Sequence, residues 1–175
     1  AYLEEDGLVV IEMENAAQLN GWEVAYTIAG ATGSGHINWT GNQFFGQTGN
    51  GVLRYFVRIS TPGTYRFEWR VAGGFGDDST LHNDSWLKIS GDNFYGLKTN
   101  SQVKPRPACQ GDPDYDCPEG SSSNGFFKIY GGGLNNFQWA ARTSDNDAHQ
   151  IYATFDAPGV YEIEVNARSS YHSID

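Results

Sequence analysis

The chain has little of what marks a nucleic-acid or membrane protein. Eleven Lys and Arg stand against 21 Asp and Glu, a formal net charge of −10, so the long-range field repels polyphosphate, and no Lys/Arg-rich stretch makes a local exception. Neutral glycans meet no such barrier, whereas an anionic polysaccharide needs a local basic pocket. No run of about 18 apolar residues is present to span a membrane as a helix, and no apolar signal-peptide core opens the chain. The sequence has the character of a mature or excised domain. Its last residues, Ile174 and Asp175, fall inside what reads as a strand, so the natural chain is expected to continue.

Cysteine is scarce. Cys109 and Cys117 lie between prolines in CQGDPDYDC, far from any His that would complete a zinc set. A local disulfide pinning a loop is expected, and with it a secreted or extracellular setting; the alternative is a pair of reduced loop cysteines. The four histidines, His36, His82, His149 and His172, have no metal-binding spacing, and neither a Gly-x-Ser-x-Gly elbow nor a phosphate-binding loop occurs. Strong helix-forming runs are also missing.

What is present is turn and aromatic chemistry: 22 Gly, 5 Trp, and aromatics at 14% of 175 residues, in short apolar stretches broken by Gly, Asn, Asp or Ser. That balance predicts many strands joined by turns. Residues 8–14, LVVIEME, read as a first strand with Glu12 and Glu14 on one side, since strand side chains repeat every two residues. Two carboxylates on one face repel, an arrangement that invites a cation. Residues 52–59 alternate, break at Ser60-Thr61-Pro62-Gly63, and resume over 64–70. The same sentence recurs at 151–155, Asp156-Ala157-Pro158-Gly159 and 160–165, so a Pro-Gly-x-Tyr hairpin occurs twice, about 96 positions apart. Residues 85–90, 126–130 and 137–141 complete the strand candidates. The polar stretch 91–125 is a long inserted loop that either shapes a site or covers a sheet. Spacing and turn density predict one all-β domain, a two-sheet β-sandwich of about eight to ten strands.

With those elements placed, the chain resembles the family 6 and family 35 carbohydrate-binding modules from residue 8 onward. The resemblance rests on Val10-Ile11-Glu12-Met13-Glu14, on Gly33-Ser34-Gly35-His36-Ile37, on the paired Pro-Gly-x-Tyr hairpins, and on Arg168-Ser169-Ser170-Tyr171-His172-Ser173-Ile174-Asp175. It implies a jelly-roll sandwich that binds a polysaccharide or oligosaccharide without cutting it, tethered to a secreted polysaccharide-degrading enzyme. It also implies a structural calcium held by Glu12, Glu14 and Asp175, with a backbone oxygen from Thr32 or Ser34. Calcium takes six to eight hard oxygen ligands, and carboxylates supply the charge. The sugar site of such modules lies among loops at one end of the sandwich, where two aromatic rings clamp a pyranose and an Asn bonds its hydroxyls. The matching positions are His36 or Trp39 for the first ring and Phe137 or Trp139 for the second. Tyr171, His172 and Ser173 stand where the Asn would be, so the Asn is not reproduced.

The residues themselves add detail. Trp39 sits among Gly, Asn and Thr and is expected to be exposed, whereas Trp69 and Trp86 alternate within strands and belong to the core. Asn136, Phe137, Trp139 and Arg142 form an aromatic, amide-rich cluster with donors and acceptors for hydroxyl groups. Asp77-Asp78 and Asp145-Asn146-Asp147 read as turn residues in preference to paired catalytic carboxylates. Two other classes stay open: a small jelly-roll glycosidase or polysaccharide lyase using Asp145, Asp147 or His149, and a structural or adhesion domain.

Overall fold

Alternation of apolar and polar side chains sets the central strand, β4 (Leu53–Ile59), in which Leu53, Tyr55, Val57 and Ile59 are buried and the residues between them exposed. A computed structural model describes residues 1–144 and 146–175, which form an all-β chain with several mixed sheets. The first sheet runs β1 (Tyr2–Leu3), β4, β15 (Gly159–Asn166), β7 (Asp84–Ile89), β11 (Phe126–Tyr130), β10 (Ser122–Ser123). The second runs β12 (Gly133–Leu134), β6 (Arg70–Gly73), β16 (His172–Ile174), β3 (His36–Trp39), β2 (Trp22–Ala25), with β13 (Gln138–Trp139) also on β6. The third runs β5 (Gly63–Phe67), β14 (Gln150–Phe155), β8 (Asn93–Lys98), β9 (Ser101–Val103). Among the described residues, the strand pairs β1–β4 and β12–β6 are parallel and the other strand pairs antiparallel.

One apolar cluster joins the sheets: Ile37, Val71 and Ile174 of the second pack in the same core as Leu53, Leu87 and Phe127 of the first. Phe94 of β8 meets Phe127 edge-on with ring centroids 5.1 Å apart. Trp69 is buried in this core, and Trp86 is buried apart from it, beneath the Arg168 guanidinium.

Three departures from the sequence reading have physical causes. Residues 8–12 belong to no strand, and a 3-10 turn over Met13–Asn15 follows them; a strand sequence becomes a strand only where a neighbour takes its backbone groups along its length, and among the described residues only a bridge from Glu5 to Leu8 does so here. The stretch 91–125 carries β8, β9 and β10 in place of a plain loop. Its Cys109–Cys117 disulfide closes a subloop from which Tyr115 lies edge-on to Tyr95 at 6.0 Å. Lys104 stands over the Tyr115 ring at 4.1 Å, and Asn93 Nδ2 donates to its hydroxyl at 2.8 Å. Because Phe94 points into the core, its neighbour Tyr95 lies on the opposite face, so this insertion covers the outer face of the third sheet.

The third departure concerns His36 and His172, read as ligand-binding and found fully buried. His172 Nδ1 meets Ser85 Oγ at 2.7 Å and its ring lies edge-on to Trp69; His36 Nε2 meets Thr27 Oγ1 at 3.3 Å and its ring lies edge-on to Phe137. Burial pushes both rings below the ordinary imidazole value, His172 down to about 4, against the opposing pull of Asp84 on His172 and Asp175 on His36. A histidine in the unfolded chain titrates near about 6.5. As pH falls from there toward about 4, the unfolded chain takes up protons that the folded one refuses, and stability is lost through that window; above it the contribution is complete. Thermal midpoints should therefore fall between about pH 6.5 and pH 4.5. His172→Gln should flatten that fall; a variant profile as steep as the parent's would remove His172 as a cause.

Candidate functional site

The segment after β15 is fixed before it presents anything to solvent. Asp84 Oδ1 accepts hydrogen bonds from Arg168 Nη1 at 2.7 Å and Ser169 Oγ at 2.8 Å, all three residues being buried. The Arg168 guanidinium also lies against the faces of Phe45 and Trp86, 5.0 and 5.1 Å from their centroids. Backbone bonds lash the same segment to its neighbours: Phe44 to Arg168, Ala167 to Asn50, Ser169 to Asp84, Tyr171 to Trp39 and Gly74 to Tyr171. Tyr171 emerges from this frame at φ 59°, a left-handed conformation uncommon for an aromatic residue. Such geometry persists only where surrounding bonds over-determine it.

The Tyr171 ring stacks on Phe75, with centroids 4.7 Å apart and planes 20° from parallel. His82 stands edge-on to both rings, at 5.6 Å from Phe75 and 5.7 Å from Tyr171. Its Nδ1–H donates to the Ser170 carbonyl at 2.6 Å, which leaves Nε2 as the acceptor of the neutral ring. Phe75 is 54% exposed, so its outer surface faces water. Gly74 permits this approach: a Cβ there would lie 2.9 Å from Ser173 Oγ and 3.2 Å from the Tyr171 carbonyl. An aromatic shelf with a histidine acceptor beside it, on a rigid base, suits a ligand with apolar faces and polar edges.

Of the ligand residues read from sequence, Tyr171 is in this place, while His36, His172, Trp39 and Phe137 are buried and Trp139 lies elsewhere. Trp39 is buried, a correction to its expected exposure: β3 pairs with β2 so that Trp39 faces Trp22, centroids 5.6 Å apart, and Trp39 Nε1–H donates to the Asn42 carbonyl at 2.8 Å. Phe137 is buried against His36 with Arg70 over its ring at 5.2 Å. Asn136, Trp139 and Arg142 are exposed, Trp139 at 66%, but Trp139 pairs opposite Arg70 at the far end of β6. Gly74, which bonds Tyr171, is four residues on, roughly 13 Å along the strand. Phe75 and His82 were missed. The available signal was a phenylalanine between two glycines, in a segment with no alternation to bury it.

The calcium site is overturned: among the described residues no group of three or more His, Cys, Asp or Glu is placed to hold a metal ion. Glu12, Glu14 and Asp175 have protein partners. Arg70 Nη1 pairs with Asp175, whose side chain is 2% exposed, and Asp175 Oδ1 accepts the Thr32 amide at 2.8 Å. Glu12 Oε2 accepts the Thr32 hydroxyl at 3.2 Å, and Glu14 Oε1 accepts the Ser34 amide at 2.6 Å. Arginine and loop donors bond Asp175, Glu12 and one oxygen of Glu14, whose Oε2 is buried with no hydrogen-bond partner, and Ser34 offers its N–H and not a ligand oxygen.

Of the acidic turn residues, Asp145 lies outside the described residues. Asp147 accepts from Lys98 Nζ at 2.8 Å, and this bond holds its carboxyl below the usual range, the wrong direction for a proton donor. His149 is buried between Ser101 Oγ and the Asp147 carbonyl. No family model matches the chain, and neither a curated protein nor a solved structure does.

Melting midpoints in calcium and in EDTA should coincide, because a ligand shifts stability only by binding the native state. Arg70→Ala, in contrast, strips the partner from a buried carboxylate and should cost about 3–5 kcal/mol. A calcium-dependent rise in the parent's midpoint would contradict this assignment.

Proposed function

We propose that the chain is a non-catalytic carbohydrate-binding module with a jelly-roll sandwich, holding a polysaccharide or oligosaccharide at the Phe75–Tyr171 shelf. The observation that carries this reading is the exposed Phe75 ring stacked on the half-buried Tyr171, on a base fixed by the Asp84–Arg168 pair. Pyranose C–H faces pack on such rings, while His82 Nε2 accepts from hydroxyls. The net charge of −10 favours a neutral glycan over an anionic one. In the sandwich we infer, β5 and β6, two residues apart in sequence, carry the second and third sheets into one layer opposite the first.

The disulfide accords with an extracellular setting. There the module serves best when tethered to a polysaccharide-degrading enzyme, since tethering raises the local concentration of enzyme at its substrate.

Affinity electrophoresis in gels containing β-glucans, xylans or galactans tests this. One of these gels should retard the parent, and Phe75→Ala should lose that retardation, a weakening of about 30-fold or more for a stacked anchor. Its thermal midpoint should hardly move, because the ring is exposed. Trp139→Ala should run like the parent. Retention of Phe75→Ala with loss for Trp139→Ala would place the site at the other end of β6, and release of reducing sugar would favour the glycosidase reading.

A further inference from the structure

Between residues 7–13 and β5 lies a cleft of about 890 Å³ that the aromatic shelf does not use. Its floor is the apolar inner surface of the sheets, including Val57, Ile59, Phe155 and Ile163. One bank is β5, an edge strand that, among the described residues, has β14 on one side and no strand on the other. Within β5, Tyr65 and Phe67 pack toward the core while Thr64 and Arg66 are exposed. The other bank is residues 8–12, which have a strand's sequence and, among the described residues, pair only through the Leu8 bridge to Glu5. Val9 and Ile11 pack on the core there, and Leu8 and Val10 are each 63% exposed.

We infer that this cleft is a strand acceptor: it takes one extended polypeptide segment, antiparallel to β5 and in line with β16, with apolar side chains at alternate positions. The register already present sets the line. β16 runs antiparallel to β6 with Ile174 opposite Val71, and the Asp175 amide donates to the Arg70 carbonyl at 2.9 Å. Only Glu68 and Trp69 separate β6 from β5, and both line the cleft. A strand in line with β16 therefore meets Trp69 first and then the β5 edge. The bank from Gly63 to Trp69 is seven residues, roughly 23 Å, a strand's length.

Backbone geometry selects polypeptide over other occupants. A strand edge offers N–H and C=O groups at a repeat of about 3.3 Å, which only another extended backbone matches while sending every second side chain to an apolar floor. A glycan would bring hydroxyls to Val, Ile and Phe with nothing to bond them, and an acyl chain would leave both edges unpaired. This inference does not rest on the glycan reading, and neither fails with the other.

The test is amide hydrogen exchange on the chain with two synthetic ten-residue peptides of one composition. In one, Val and Ile alternate with Thr, Lys and Glu; in the other they are clustered at one end. The alternating peptide should slow exchange about tenfold or more in residues 64–68 and 9–12 and raise the thermal midpoint, while the clustered peptide does neither. The proposal is overturned if the alternating peptide at millimolar concentration leaves those amides unchanged. It is equally overturned if the clustered peptide, lauric acid or a xylan oligosaccharide protects them as well.

Discussion

The buried pair of Asp84 and Arg168 is the contact on which the loop end of this protein depends. A buried ion pair contributes little net stability, because desolvation offsets the Coulombic gain, but removing either partner strands a charge in the interior. Here the pair acts by position. Asp84 begins β7 in the first sheet, and Arg168 stands just beyond β15, beside it in that sheet, on the way to β16 in the second. Ser169 adds a second bond to the same carboxylate oxygen, and Phe45 and Trp86 close over the guanidinium. The crossing between sheets is thereby fixed, and Tyr171, three residues after Arg168, is held in its left-handed conformation where Phe75 can stack on it.

A second pair, Arg70 with Asp175, organises the other end of β6. It joins β6 to the end of β16 and, through Thr32, to the loop that binds Glu12 and Glu14. The two ends of one short strand thus differ in kind. One presents the exposed Phe75 ring stacked on Tyr171, and the other borders an apolar cleft beside the edge strand β5. Trp139 belongs to the second end, since it lines that cleft with Asp175.

Much of the fold was legible because period-two alternation is a direct consequence of one buried face. β4, β5, β14 and β15 were read from it, while β7 and β11 were read as short apolar runs, and the burial of Trp69 and Trp86 followed from their places in strands. What failed was residue-level exposure where local sequence and tertiary pairing disagree. Trp39 is surrounded by turn residues, yet β2, which carries no clear alternation, brings Trp22 onto it. Residues 8–12 read as a strand, yet among the described residues only Leu8 pairs, in a single bridge to Glu5. The carboxylates Glu12, Glu14 and Asp175 were gathered correctly in one region, but spacing carries no sign of the arginine, fifty-eight residues after Glu12, that neutralises Asp175. The shelf was half legible: Tyr171 was named from its position near the chain's last strand, while Phe75 and His82 reach it from a loop whose path sequence does not give.

The central claim is that a glycan packs on the Phe75–Tyr171 shelf. Amide chemical-shift mapping by NMR, with oligosaccharides cut from whichever polysaccharide binds, reads that contact most directly. The account predicts shifts confined to residues 74–76, 82 and 170–172, with the amides of 8–12, 63–68 and 138–140 unmoved. Shifts centred on Trp139 or on the cleft, or no shift with any glycan, would contradict it.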